Sequence, residues 1–434
     1  MKINDLAPSG AIEVKMRKGQ RIVCRLSLSV FLVFILCALT SCLPIASDYA
    51  SSYLDEYGIP SFDGSKLREV ERVYMSYYVE SLPDPKVSAE RTAAIYFEKY
   101  HGKIDTGNYE AVTEAVIRSY VSSIGDRYSV YRSAVEYAGY DTEMSGTFYG
   151  IGVLVTKGDG DCISVKEVYE GGGAEAAGIL AGDVIVAVAG KEISEIGYES
   201  AVNLIRGEEN TTVSVTVERA GARIGFSVER RRVVEKSVIY SIDENKIGYI
   251  KISSFKDNTD EMFCEAVDAL TEQGAVGIIY DLRANPGGYL SSVISALSYI
   301  APDGTTIVSF SDNYARPKKD SNPHELKLPA VVICDGGTAS AGELFTAAMR
   351  DFDRELGYIE VTVVGEKTYG KGIMQTTVTL RDGSTVTLTV AYYNPPSGVN
   401  YHGEGIIPDV EITPINGTDA QLSAAYLEIY KLIN

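Results

Sequence analysis

The sequence predicts an α/β protein of several domains, a multidomain α+β arrangement, and three observations predict it. After residue 232, apolar β-branched runs alternate with stretches of helical periodicity. Between 146 and 233 the pattern is short β runs separated by glycine-rich turns, and from residue 65 to that point it is helical. With 434 residues and 45% hydrophobic content, the chain has enough apolar side chains to fill more than one core.

The chain opens on a leader. Six cations, Lys2, Lys15, Arg17, Lys18, Arg21 and Arg25, precede or border an apolar run over 26–39, short for a membrane span but suited to a signal-peptide core. The run ends Leu39-Thr40-Ser41-Cys42, which resembles a bacterial lipobox. Residues 1–41 are therefore expected to be a signal peptide, Cys42 the lipidation site and membrane anchor, and the cell envelope the location. The alternative, an uncleaved anchor helix over 22–45, would place Arg25 in the bilayer at a cost of a few kcal/mol. Residues 42–60, small, polar and Tyr-bearing, read as a tether. Without the leader, 34 basic and 57 acidic side chains remain. A net charge of −23 argues against a nucleic-acid partner. Beyond Cys42 only Cys162, Cys264 and Cys334 follow, an odd number with no short spacing, so neither a disulfide framework nor a metal site is expected.

Residues 61–145 form a helical region. Leu67, Val70, Val73 and Tyr74 share one face, and Val112, Ala115, Val116 and Tyr120 another, which fits a cap or a homodimerisation element. Residues 146–233 resemble a PDZ domain. Tyr149-Gly150-Ile151-Gly152 matches the carboxylate-binding loop, 177–190 the core strand pair, and 204–207 the end of a helix that contains Arg206. Glycines there let successive backbone N–H groups converge on a terminal carboxylate while a peptide adds as a strand.

Residues 234–415 alternate strand and helix, which implies a parallel sheet with function at the carboxyl ends of its strands. Three motifs stand at such ends: 281–288, 335–340 and 368–372. A hairpin is expected around Arg381-Asp382-Gly383-Ser384, and 416–434 reads as a C-terminal helix.

Ser340 follows the turn Asp335-Gly336-Gly337-Thr338 where an amphipathic helix begins. Taken alone, Ser340-x-x-Glu343 is a capping box. Against that stand the small, glycine-rich turn and the positive helix end, suited to a developing oxyanion. Lys371 lies between Gly370 and Gly372, and only burial would lower its pKa enough to make it a base. The three histidines, His101, His324 and His402, have no flanking motif to orient an imidazole, so a Ser-Lys pair fits better than a Ser-His pair. In Asp281-Leu282-Arg283-Ala284-Asn285-Pro286-Gly287-Gly288, Arg283 is expected to pair with a carboxylate. The N–H of Gly287 or Gly288, together with that of Ala341, would line an oxyanion hole.

DLRANPGG, GGTASAGELF, VGEKTYGKGIMQ and the closing GEGIIPDVEI, in this order behind a PDZ-like module, resemble the C-terminal processing peptidases, or tail-specific proteases. The resemblance covers 65–413. It implies a core similar to the crotonase and Clp-protease superfamily, Ser340 as nucleophile and Lys371 as general base. It also implies Glu343 and Gln375 as polar partners of the lysine, and Arg206 as the arginine coupling peptide binding to activation. Protein C-termini would be the partners and no cofactor is implied. Gly342 stands where the family often has a second serine, Asp335 where it has asparagine, and Asn210 where it has glycine. A silent PDZ adaptor and a crotonase-like acyl-CoA enzyme are the competing readings.

Overall fold

The computed structural model describes residues 49–158, 162–310, 326–415 and 417–434, with the backbone of 318–319. The leader, Cys42 and His324 lie outside the described residues. Among the described residues no helix is long and apolar enough to cross a membrane.

The chain forms an α/β protein of several units. One is built on a six-stranded sheet in the order Val238–Ile242, Ile247–Ile252, Gly277–Asp281, Ala330–Cys334, Val361–Gly365, Val410–Glu411. The first pair is antiparallel and the rest are parallel. Strand alternation explains its double burial. Ile278, Tyr280, Val332 and Val363 face a core filled by helices Thr259–Glu272, Leu290–Ile300 and Ala341–Arg354. Ile279, Val331, Ile333 and Val364 face the other way, onto helix Ala420–Ile433. The C-terminal helix is thus the second cover of this sheet.

A second sheet contains the expected hairpin, with Ile373–Thr379 antiparallel to Thr385–Asn394 around Gly383. Val130–Arg132 and Thr306–Phe310 pair with the longer of these strands. Helices Gly64–Tyr77, Pro85–Lys99 and Tyr109–Ser123 share one hydrophobic core with Leu380, Val386 and Leu388 of the hairpin. The helical region is therefore packed onto the second sheet. Residues 49–60, expected as tether, belong to the same core. Leu54 is fully buried and Ser51 donates to the buried Glu71 carboxylate through both N–H (3.0 Å) and Oγ (2.8 Å).

The 146–233 module has a six-stranded sheet of Val153–Lys157, Ile163–Val168, Val184–Val188, Thr212–Arg219 and Ala222–Glu229, with Lys191–Glu192 paired to Val184–Val188, and helix Tyr198–Ile205. Residues 177–190 supply one strand of it, not the expected pair. Gly178 and Gly182, at φ 89° and 92°, turn the chain left-handed and end any extended run before Val184. Thr147–Gly150 pairs with Arg231–Val234 and closes the module.

Phe345, fully buried, lies against Phe255, Phe263 and Tyr280 at ring-centroid distances of 6.2, 5.7 and 5.3 Å. Phe345→Ala is expected to cost about 3–5 kcal/mol of unfolding free energy, measured by urea denaturation.

Candidate active site

Strand Ala330–Cys334 ends in a turn organised by one carboxylate. Asp335 Oδ1 accepts the N–H groups of Gly337 (2.9 Å) and Thr338 (3.0 Å), and that of Ala284 (2.9 Å) across in the 281–288 loop. The chain then reaches Ser340 with φ 54° and ψ −115°, a positive-φ conformation rare for a side-chain-bearing residue. Two neighbours hold it there. Its N–H donates to Glu343 Oε2 at 2.9 Å, and the Gly287 backbone presses against it so closely that a Cβ on Gly287 would stand 2.7 Å from Ser340 Cβ. Helix Ala341–Arg354 starts at the next residue, so Ser340 lies at its positive end.

Glu343 is fully buried and accepts four hydrogen bonds. Besides the Ser340 N–H, they come from Thr368 Oγ1 (2.6 Å) and from the backbone N–H groups of Gly370 (2.6 Å) and Lys371 (2.7 Å). Glu343 thus caps the serine turn and binds Lys371 by its main chain rather than its ammonium.

The ammonium has other company. Lys371 Nζ donates to Gln375 Oε1 at 2.9 Å and lies 4.9 Å from the centre of the Tyr128 ring. Gln375 Nε2 donates to the Tyr128 carbonyl at 2.5 Å. The turn carrying Tyr128 is set by Asp126, whose carboxylate accepts the Tyr128 N–H (2.9 Å) and the hydroxyls of Ser129 and Thr389 (2.7 Å each). Burial lowers the Lys371 pKa, while the Asp126 and Glu343 carboxylates oppose that shift without cancelling it. No hydrogen bond joins Lys371 Nζ to the Ser340 hydroxyl. The two residues flank the Glu343 carboxylate, and the direct contact a dyad needs is absent from this conformation. His402 lies beside Tyr128 and Tyr392, and no hydrogen bond links its ring to Ser340 or Lys371.

Of the two glycines expected to donate to an oxyanion, Gly287 has its N–H engaged, donating to Asn285 Oδ1 at 2.8 Å. The N–H groups of Gly288 and Ala341 find no acceptor among the described residues. Gly288 must be glycine: at φ 144° its Cβ would meet the Phe255 carbonyl oxygen at 2.0 Å. Arg283 pairs with Asp281 (2.6 Å) and Asp419 (2.7 Å), tying the loop to the C-terminal helix. A Cβ on Gly342 would stand 3.2–3.3 Å from Asn285, a tight contact that a side chain there would have to relieve.

In the 146–233 module, Gly150, Ile151, Gly152 and Arg206 line a cavity of about 310 Å³. The N–H groups of Ile151 and Gly152 have no acceptor among the described residues. Tyr149 is exposed and does not line the cavity; its carbonyl accepts the Gly207 N–H at 3.4 Å. Asn210 takes a positive φ of 62°, a conformation that asparagine tolerates better than most side-chain-bearing residues and glycine adopts freely.

Sequence reasoning missed Asp126, Tyr128, Thr368 and Asn285. The last two sit inside recognised motifs, as neighbours of the assigned residues. Asp126 and Tyr128 carry no local signal of a link to the lysine, since the partners that tie them to it, Thr389 and Gln375, lie some 250 residues away.

Residues 246–412 match the model of peptidase family S41, and 164–219 that of the PDZ domain. The chain is 34% identical over 315 residues to the carboxy-terminal processing protease CtpA of Bacillus subtilis (strain 168), covering 72% of this chain. It is 32% identical over 359 residues to a probable CtpA-like serine protease of Staphylococcus aureus (strain COL), covering 82%. The chain spans 66% of the length of each of these relatives. Among solved structures, it is similar to the photosystem II D1 C-terminal processing protease. That match has 27% identity and a TM-score of 0.48, and covers 85% of this chain and 97% of the other.

Glu343→Gln puts an NH₂ group among four donors and leaves at least one of them unpaired in a buried site. It is expected to lower stability by about 1–3 kcal/mol, read by thermal or urea unfolding, and Thr368→Val, which removes one donor to the carboxylate and leaves the Ile406 N–H without its acceptor, by a similar amount.

Proposed function

The chain belongs to peptidase family S41, and from that premise we propose that it is a serine endopeptidase that captures the C-terminus of protein substrates and cleaves nearby by acyl-enzyme chemistry. Ser340 is the nucleophile and Lys371 the general base. The observation that carries this reading is the Glu343 carboxylate, which binds the Ser340 turn and the Lys371 loop at once in a buried setting.

In this mechanism neutral Lys371 takes the proton of the Ser340 hydroxyl as Oγ attacks the scissile carbonyl. The N–H groups of Gly288 and Ala341 stabilise the oxyanion. Lys371 then gives its proton to the departing amine, and water, deprotonated by the same lysine, releases the acyl group. Lys371 Nζ has to come within hydrogen-bond reach of the Ser340 hydroxyl before the first step. The neutral amine can keep an N–H on Gln375 Oε1 while its lone pair accepts the Ser340 O–H, and catalytic hydrogen bonds often tighten only with substrate bound. Peptide capture falls to the cavity lined by Gly150, Ile151, Gly152 and Arg206, whose free N–H groups suit a terminal carboxylate. The basic, apolar leader supports export, with Cys42 as the lipid anchor.

Ser340→Ala and Lys371→Ala are each expected to reduce cleavage of an unfolded protein with an apolar tail by roughly 10⁴-fold. Retained cleavage in both would overturn the assignment and favour a silent adaptor. Because the neutral lysine is the active form, kcat/KM rises with pH through an apparent pKa below the ordinary lysine value of about 10.4. Asp126 raises that pKa, so Asp126→Asn moves the limb to lower pH. Incorporation of labelled palmitate in a bacterial host, lost in Cys42→Ser, checks the anchor.

A further inference from the structure

The cavity assigned to the peptide terminus is not built by the PDZ module alone. Lys256, from the catalytic unit, lines it together with the 150–152 loop and Arg206. Lys256 is only 7% exposed, and its Nζ makes one ion pair, to Glu235 at 2.5 Å. An ammonium has three donors, and no other described group accepts from this one. A nearly buried cation with unspent donors on the wall of a cavity is poorly satisfied. The cavity also holds free N–H groups at Ile151 and Gly152, and a second cation, Arg206, without an ion pair among the described residues. Its acidic lining is Glu143 and Glu235.

We infer that Lys256 is a carboxylate-binding residue, the catalytic unit's own contact for the free C-terminus of a peptide held in the PDZ cavity. This rests on the capture reading above. The unspent donors of Nζ take one carboxylate oxygen while the 150–152 N–H groups take the other, and Glu235 keeps its single bond. The position of Lys256 in the chain gives the contact a consequence. The preceding residue, Phe255, accepts the Tyr289 N–H (2.7 Å) and donates its own to the Gly287 carbonyl (2.8 Å). The captured terminus is thereby fastened one residue from the pairing that holds the 287–289 loop against Ser340. The ligand class is any peptide ending in a free α-carboxylate beside small or apolar side chains, since Ile151, Val202 and Ile205 form the apolar wall.

The test uses the full chain in a Ser340→Ala background, so that the probe is not consumed. A fluorescein-labelled hexapeptide ending in Val-Ala, as free acid and as C-terminal amide, is titrated by fluorescence anisotropy. The parent binds the acid more tightly. Lys256→Met is expected to weaken acid binding about tenfold with little effect on the amide, and Lys256→Arg to keep the preference. Glu235→Gln removes the charge nearest the bound carboxylate and widens the preference, a result that does not depend on Lys256→Met folding. Full preference in a folded Lys256→Met, or a preference unchanged or narrowed in Glu235→Gln, overturns the inference while leaving PDZ capture intact. If the parent binds acid and amide alike, the capture reading itself falls.

Discussion

The structure around the site depends on one buried carboxylate. Glu343 sits on the first turn of the helix behind Ser340, reaches the loop between two sheets, and accepts four hydrogen bonds from it and from its own turn. Burying a carboxylate is costly unless its lone pairs are used, and here they are. The satisfied charge in turn constrains both sides. Ser340 can hold a strained positive φ because its N–H is bound, and Gly370 and Lys371 cannot drift because theirs are too. A neutral side chain of the same shape could cap the helix but could not gather so many donors.

The lysine faces opposing demands. Burial drives it toward the neutral form, which a base needs, while Asp126 and Glu343 favour the cation. Burial prevails, and Glu343 spends its oxygens on three main-chain N–H groups and the Thr368 hydroxyl, Asp126 on Tyr128, Ser129 and Thr389. The Tyr128 ring and the Gln375 carbonyl meanwhile hold the protonated amine. The helical region therefore reaches the chemistry directly: its Asp126 turn positions Gln375, and Gln375 positions Lys371.

The 287–289 loop is the other hinge of the arrangement. Gly287 and Gly288 have different work despite standing side by side. The first packs on Ser340 and spends its N–H on Asn285, while the second passes under the Phe255 carbonyl with its N–H free. Phe255 links this loop to Lys256 and so to the PDZ cavity, where Lys256 is held by its ion pair with Glu235.

The sequence by itself determined the alternation that builds the parallel sheet, the serine at a strand-to-helix turn, the lysine between glycines and the Arg283 pairing. Each of these is written in short-range spacing, which periodicity and motif grammar can read. Tertiary structure alone decided which glycine keeps a free N–H, that 49–60 is core rather than tether, and that 177–190 holds one strand. It also decided that Glu343 binds the lysine's backbone, that Tyr128 and Asp126 shape its surroundings, and that a lysine of the catalytic unit enters the PDZ cavity. These depend on which distant groups compete for the same hydrogen-bonding atoms, and that competition exists only once the sheets and loops are packed together.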